Sequence, residues 1–175
     1  MSDDIDVRAW LQERGTDTVK HPGGTLYKHL CRVSDRLADL GHGPQVQAAG
    51  LTHAAYGTDG FDLALLFWQE RDELRGLVGE EAEELVFLYG SCDRDRSWRR
   101  LAETGEVTNR FTGAVTSLKG DQLTVFVDLT AVNELDVIAK DPSILARNRK
   151  SFTELFTAWA KVASEPVSKE MRLAL

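Results

Sequence analysis

From Thr25 to Leu40 the apolar residues Leu26, Leu30, Val33, Leu37 and Leu40 recur at steps of three and four, the period of one helix face. The same period governs most of the chain, and helices with one apolar stripe must bury it against one another, so a mainly α fold is expected. Thr25 is a suitable N-cap, and Gly41-His42-Gly43-Pro44 ends the helix. Pro44 then opens the next helix, on which Val46, Ala49, Gly50 and His53 share a face whose small residues permit close packing. A short turn makes the two helices antiparallel neighbours.

Other segments follow the same logic. Asp4 to Arg14, with Ile5, Ala9 and Trp10 and acids ahead of bases, predicts a short leading helix ending at Gly15. Lys20-His21-Pro22-Gly23-Gly24 reads as a turn. Phe61 to Leu77 predicts a third core helix, Glu80 to about Cys92 a fourth with its acids as helix-start charge, and Asp95 to Glu103 a short charged one. The period changes between Arg110 and Val127, where Phe111, Gly113, Val115, Leu123, Val125 and Val127 alternate with polar residues; this predicts one inserted β-hairpin. Helical spacing returns with Leu129, Val132, Leu135 and Ile138, breaks at Asp141-Pro142 and runs on through Val162. The aromatic residues Phe67, Trp68, Phe152, Phe156 and Trp159 are assigned to the core.

With 175 residues, 42% of them hydrophobic, the chain suits a single domain over residues 1–165, with a loose tail over 166–175. A net charge of −7 argues against nucleic acid and anionic membranes as partners, since both require clustered Lys and Arg. Cys31 and Cys92 form no metal-ligand pair of the C-x-x-C kind and suit a reduced compartment. The acidic opening Met1-Ser2-Asp3-Asp4 reads as neither a signal nor a transit peptide, and the apolar run Leu63 to Trp68 is too short to span a bilayer. A cytoplasmic protein is expected, with a homodimer through Leu173 and Leu175 as one option.

His29 and His53 stand on the apolar faces of the two consecutive helices, where an imidazole must find a partner or a task. Their rings are expected to line one pocket, with His21 at its mouth. A buried imidazole near neutrality exchanges protons when a neighbour fixes its tautomer, so His29 and His53 are candidate catalytic groups, with Tyr56 and Asp93 supplying oriented contacts. Thr58 and Asn133 join His21 as candidate substrate contacts. His42, between two glycines, reads as an exposed loop residue. Phosphate loops, nucleophile elbows and His-Glu-x-x-His pairs are absent from the sequence.

A helix with an inward His followed by Ala49-Gly50-Leu51-Thr52-His53 resembles the HD-domain superfamily of metal-dependent phosphohydrolases and related oxygenases. There the second His precedes an Asp and a later helix supplies another; here Ala54 and Asn133, within Ala131-Val132-Asn133-Glu134-Leu135-Asp136, take those places. The segment His53-Ala54-Ala55-Tyr56-Gly57-Thr58, with His21 upstream and Tyr89-Gly90-Ser91-Cys92-Asp93-Arg94 downstream, resembles an HD-like family in which His-x-x-Tyr-Gly-Thr replaces His-Asp. The likeness covers residues 20–140 and implies a mainly α, single-domain HD-like helical bundle with one inserted β-hairpin.

Two neutral histidines and an amide give a hard ion no anionic oxygen. Softer iron, manganese or zinc would be held by His21, His29 and His53 with Asp136, or with Asp93 or Asp59, as the acidic partner. The function expected is a small-molecule enzyme performing hydrolysis, proton transfer or oxygenation. The rival is a non-catalytic ligand-binding or dimerising domain that keeps its histidines as a structural network.

Overall fold

The computed structural model describes residues 2–175, with side chains from Val7 onward; Met1 and the Ile5 side chain lie outside the described part. The fold is mainly α, and it divides into two compact units, Met1–Ser91 and Cys92–Leu175.

The first unit opens with α1 (Ser2–Glu13), followed by two-residue strands β1 (Lys20–His21) and β2 (Gly24–Thr25). These strands pair antiparallel around Pro22-Gly23, so the expected turn is itself a minimal hairpin. Gly23, at φ +83°, takes the left-handed position that follows proline in a tight turn. The next two helices are α2 (Leu26–Asp39), whose first turn is capped by the Thr25 hydroxyl, and α3 (Pro44–Thr52). They approach closely at Gly50, where a Cβ would lie 2.5 Å from Leu37 Cδ1 and 3.4 Å from Ser34 Cα. The Ser34 hydroxyl ties them by donating to the Gln47 carbonyl at 2.9 Å.

The expected third helix is shorter than its apolar run. Residues 61–70 form turns and bends, and α4 covers only Arg71–Val78 before α5 (Glu80–Ser91). Leu65 and Leu66 both donate their N–H groups to the Ala55 carbonyl, which folds the run back onto the end of α3. Leu66 is buried, whereas Phe67, assigned to the core from sequence, is 74% exposed. A continuous apolar run has no period with which to choose helix over loop.

In the second unit α6 (Arg94–Ser97), a 3-10 turn at Trp98–Arg100 and α7 (Leu101–Thr104) replace the single charged helix. The hairpin is β3 (Glu106–Thr108) with β4 (Val115–Ser117), ending before the expected second half. Leu123, Val125 and Val127 instead belong to α8 (Asp121–Lys140). That helix is buried continuously from Phe126 to Glu134, so no single stripe marks its period, and the short alternation at its start imitates a strand. Helix α9 (Pro142–Trp159) buries Phe152, Phe156 and Trp159 as expected. The tail read as loose is α10 (Glu165–Ala174), with Val167 and Met171 fully buried. The α8 carboxylate Asp128 accepts the Ser164 N–H at 3.0 Å and so caps the start of α10 from another element. Among the described residues no helix is long and apolar enough to cross a membrane.

Candidate functional site: a buried histidine column

Helix packing and the first hairpin bring three of the four histidines into contact. His29, on the inward stripe of α2, is 1% exposed; His53, closing α3, is 2% exposed. The His21 ring from β1 stacks on His29 with centroids 4.1 Å apart and planes 25° from parallel. His29 in turn meets His53 edge to face at 5.2 Å and 82°. Phe61 stands nearly perpendicular to His21 at 5.5 Å, and Tyr89 of α5 perpendicular to His53 at 5.3 Å. The outcome is a column of imidazoles with an aromatic ring against each terminal one. Thr58 bridges to Phe61 and accepts the Phe61 N–H at 3.0 Å, building the turn that sets that ring beside His21.

The tautomer of His53 follows from its position. The last turn of a helix leaves carbonyl oxygens without intrahelical donors, and His53 Nδ1 lies 2.7 Å from the Gly50 carbonyl. A carbonyl oxygen only accepts, so Nδ1 carries a proton, and whenever the ring is neutral its lone pair is on Nε2. Tyr89 was not singled out by sequence reasoning. Its signal was the spacing Ala82, Val86, Tyr89 on α5, a buried stripe ending in a tyrosine beside Gly90, where a Cβ would meet the Gly57 carbonyl at 2.9 Å.

Tyr56 is committed elsewhere. Its hydroxyl donates to Glu83 Oε1 at 2.8 Å, and the same carboxylate takes a bidentate pair from Arg71, Nε at 2.7 Å and Nη2 at 2.9 Å. Glu83 lies in the first turn of α5, among the expected helix-start charge, and is completely buried. Burial and then the hydrogen bond to Glu83 hold the Tyr56 hydroxyl well above the ordinary phenol range. In the unfolded chain this phenol ionises from about pH 10; in the folded chain it does so only at higher pH, so in between the folded state holds the extra proton. Stability therefore falls as pH rises above about 10, by at most about 1.4 kcal/mol per pH unit from this group. Melting curves between about pH 9 and 11 should show that decline in the wild type and a flatter one in Tyr56→Phe. Equal slopes would remove Tyr56 as the source.

The remaining sequence candidates lie in the second unit. Asp93 caps α6, its carboxylate accepting the Arg96 N–H at 3.1 Å. Asn133 is buried on α8 and donates to Glu134 at 3.1 Å, with Arg94 3.6 Å from the same carboxylate. Asp136 is half-buried on α8.

The donor geometry of the column does not fit a shared metal ion. Imidazole lone pairs lie in the ring plane, and two stacked planes only 25° apart meet far beyond a metal–nitrogen bond of about 2.0–2.1 Å. His53 Nδ1 is already occupied by the Gly50 carbonyl. Among the described residues no group of three or more His, Cys, Asp or Glu is arranged to hold a metal.

Fold and site together define a mainly α protein with an inward-facing histidine column in its first unit. Residues 10–94 match the model of a domain of unknown function, DUF6817. That stretch takes in the column, Tyr56, Thr58, Tyr89 and Asp93, and stops before Asn133 and Asp136. No curated protein and no solved structure matches the chain.

Proposed function

We propose that this chain is a small-molecule enzyme whose histidine column moves a proton on or off a bound substrate. The observation behind this reading is the His53 ring, whose Nδ1–H is held by the Gly50 carbonyl while a second imidazole lies against it. A fixed tautomer presents Nε2 as a general base without a rotamer or proton search at the moment of reaction. Of hydrolysis, proton transfer and oxygenation, proton transfer asks least of groups other than imidazole. A reduced, cytoplasmic setting belongs to the same reading and is supported by the free thiols Cys31 and Cys92.

One observation favours the rival, a non-catalytic ligand-binding or dimerising domain: His29 and His53 are almost fully buried, as a purely structural network would be. Deuterium exchange separates the two. In heavy water the wild-type protein should catalyse loss of the acidic C–H signal from some member of a panel of small carbon acids, followed by NMR. The nitrogen-15 spectrum should place the neutral His53 proton on Nδ1. A proton on Nε2, or no exchange with any panel member, would sink the acid–base reading.

A further inference from the structure

We infer that the place filled by the His21 imidazole is a binding slot for a planar heteroaromatic ring, entered when the first hairpin swings away. The inference rests on the reading of the column as a functional site. A ligand that reaches His29 or His53 must displace something, because these rings are 1% and 2% exposed. His21 is the half-buried member of the column and the natural part to move.

The surroundings of His21 describe the shape of what could replace it. One flat face rests on His29 at 4.1 Å, and Phe61 stands nearly perpendicular to the ring, 5.5 Å away at 78°. A stacked face and a perpendicular edge are how proteins hold flat π systems, and a saturated ring fits neither contact well. A heteroaromatic ring would reproduce both while bringing a ring N–H or lone pair to the imidazoles.

The cover is built to come off. Strands β1 and β2 contribute two residues each, and a two-stranded hairpin is marginal by itself. Its turn runs through Gly23 at φ +83° and Gly24 at φ +133°, positions where a side chain would resist the required backbone. Arg32 of α2 fastens its tip by donating from Nη2 to the Pro22 carbonyl at a long 3.3 Å, while its base stays hinged at the Leu26 N–H to Val19 carbonyl bond and the Thr25 cap of α2. Opening this segment disturbs far less apolar burial than moving α2 or α3, whose inner residues Leu30, Val33 and Leu51 are fully buried.

The test uses imidazole as the probe and tetrahydrofuran, a saturated ring of the same size, as the control. Both are titrated into the full chain while the ring signals of His29 and Phe61 are followed by NMR. Vacating the slot removes the cost of displacing the native ring, so His21→Ala should bind imidazole at least about 10-fold more tightly than the wild type. Arg32→Ala keeps the ring, loosens the hairpin and should show a smaller gain; it carries the comparison if His21→Ala does not fold. Tetrahydrofuran should gain in neither variant. Equal imidazole affinity in all three proteins, or a matching gain for tetrahydrofuran, overturns the slot. Because binding is read without turnover, imidazole binding alongside absent deuterium exchange would remove the acid–base reading and leave the slot standing.

Discussion

Glu83→Ala is expected to lower the unfolding free energy by about 3–5 kcal/mol, the range for removing one partner of a buried ion pair. Glu83 is completely buried and serves the Tyr56 hydroxyl and the Arg71 guanidinium, with Arg75 Nη2 3.6 Å from its second oxygen. Truncation leaves the phenol without its acceptor and strips Arg71 of its bidentate partner, so that only the Glu84 carboxylate, 2.7 Å from Nη2, still pairs with the guanidinium. The loss is that of stranded polar groups more than of the attraction itself. Two further variants separate these contributions. Glu83→Gln keeps an acceptor for Tyr56 and should fall between wild type and alanine. Replacing Glu83, Arg71 and Tyr56 together by Leu, Met and Phe removes the stranded groups, and should lose less than the single alanine change. Urea denaturation followed by circular dichroism measures all three. A midpoint for Glu83→Ala within error of the wild type would mean that the buried network contributes nothing.

The same residue marks where the sequence was legible and where it was not. Helix α2 could be read closely because it carries one apolar stripe capped by Thr25, and the bounds of α3 followed from Gly41 and Pro44, local signals whose physics does not depend on the rest of the fold; the end of α3 is buried on every side, from Ala49 to Thr52. The meeting of His29 and His53 followed from the short connection between them. The burial of Glu83 was not legible because a glutamate near a helix start is favourable in either environment, and its partners Arg71, Arg75 and Tyr56 come from the preceding helix and turn. Helix α8 was misread in part for the opposite reason: burial on nearly all sides erased the period that would have announced it. His21 was placed at the mouth of the site on its neighbourhood of glycines, but its stacking on His29 depends on a hairpin two residues deep, which carries no strand signature at all. Tyr89 reaches the column only through the packing of α5 against α3, a long-range choice that spacing along one helix does not encode.

The histidines themselves carry the second large effect. If His53 is the base, His53→Phe should reduce enzyme-catalysed deuterium exchange by about 10²–10⁴-fold, the usual worth of a positioned acid–base group. Phenylalanine preserves the flat ring between His29 and Tyr89, so the contacts at 5.2 and 5.3 Å need little repacking. The change removes one hydrogen bond to the Gly50 carbonyl, worth about 1 kcal/mol, and returns apolar burial of comparable size. The melting temperature should therefore stay close to that of the wild type, or rise, because polar groups kept for chemistry are commonly held at a cost to stability. His29→Phe extends the argument: it retains the stack under His21 but interrupts the imidazole contact, and should also reduce exchange without unfolding the chain. A structural network predicts the reverse pairing, in which each change lowers the melting temperature and any exchange continues. Measuring both quantities on the same two variants decides between the readings, since neither account allows stability and exchange to move together in the other's direction.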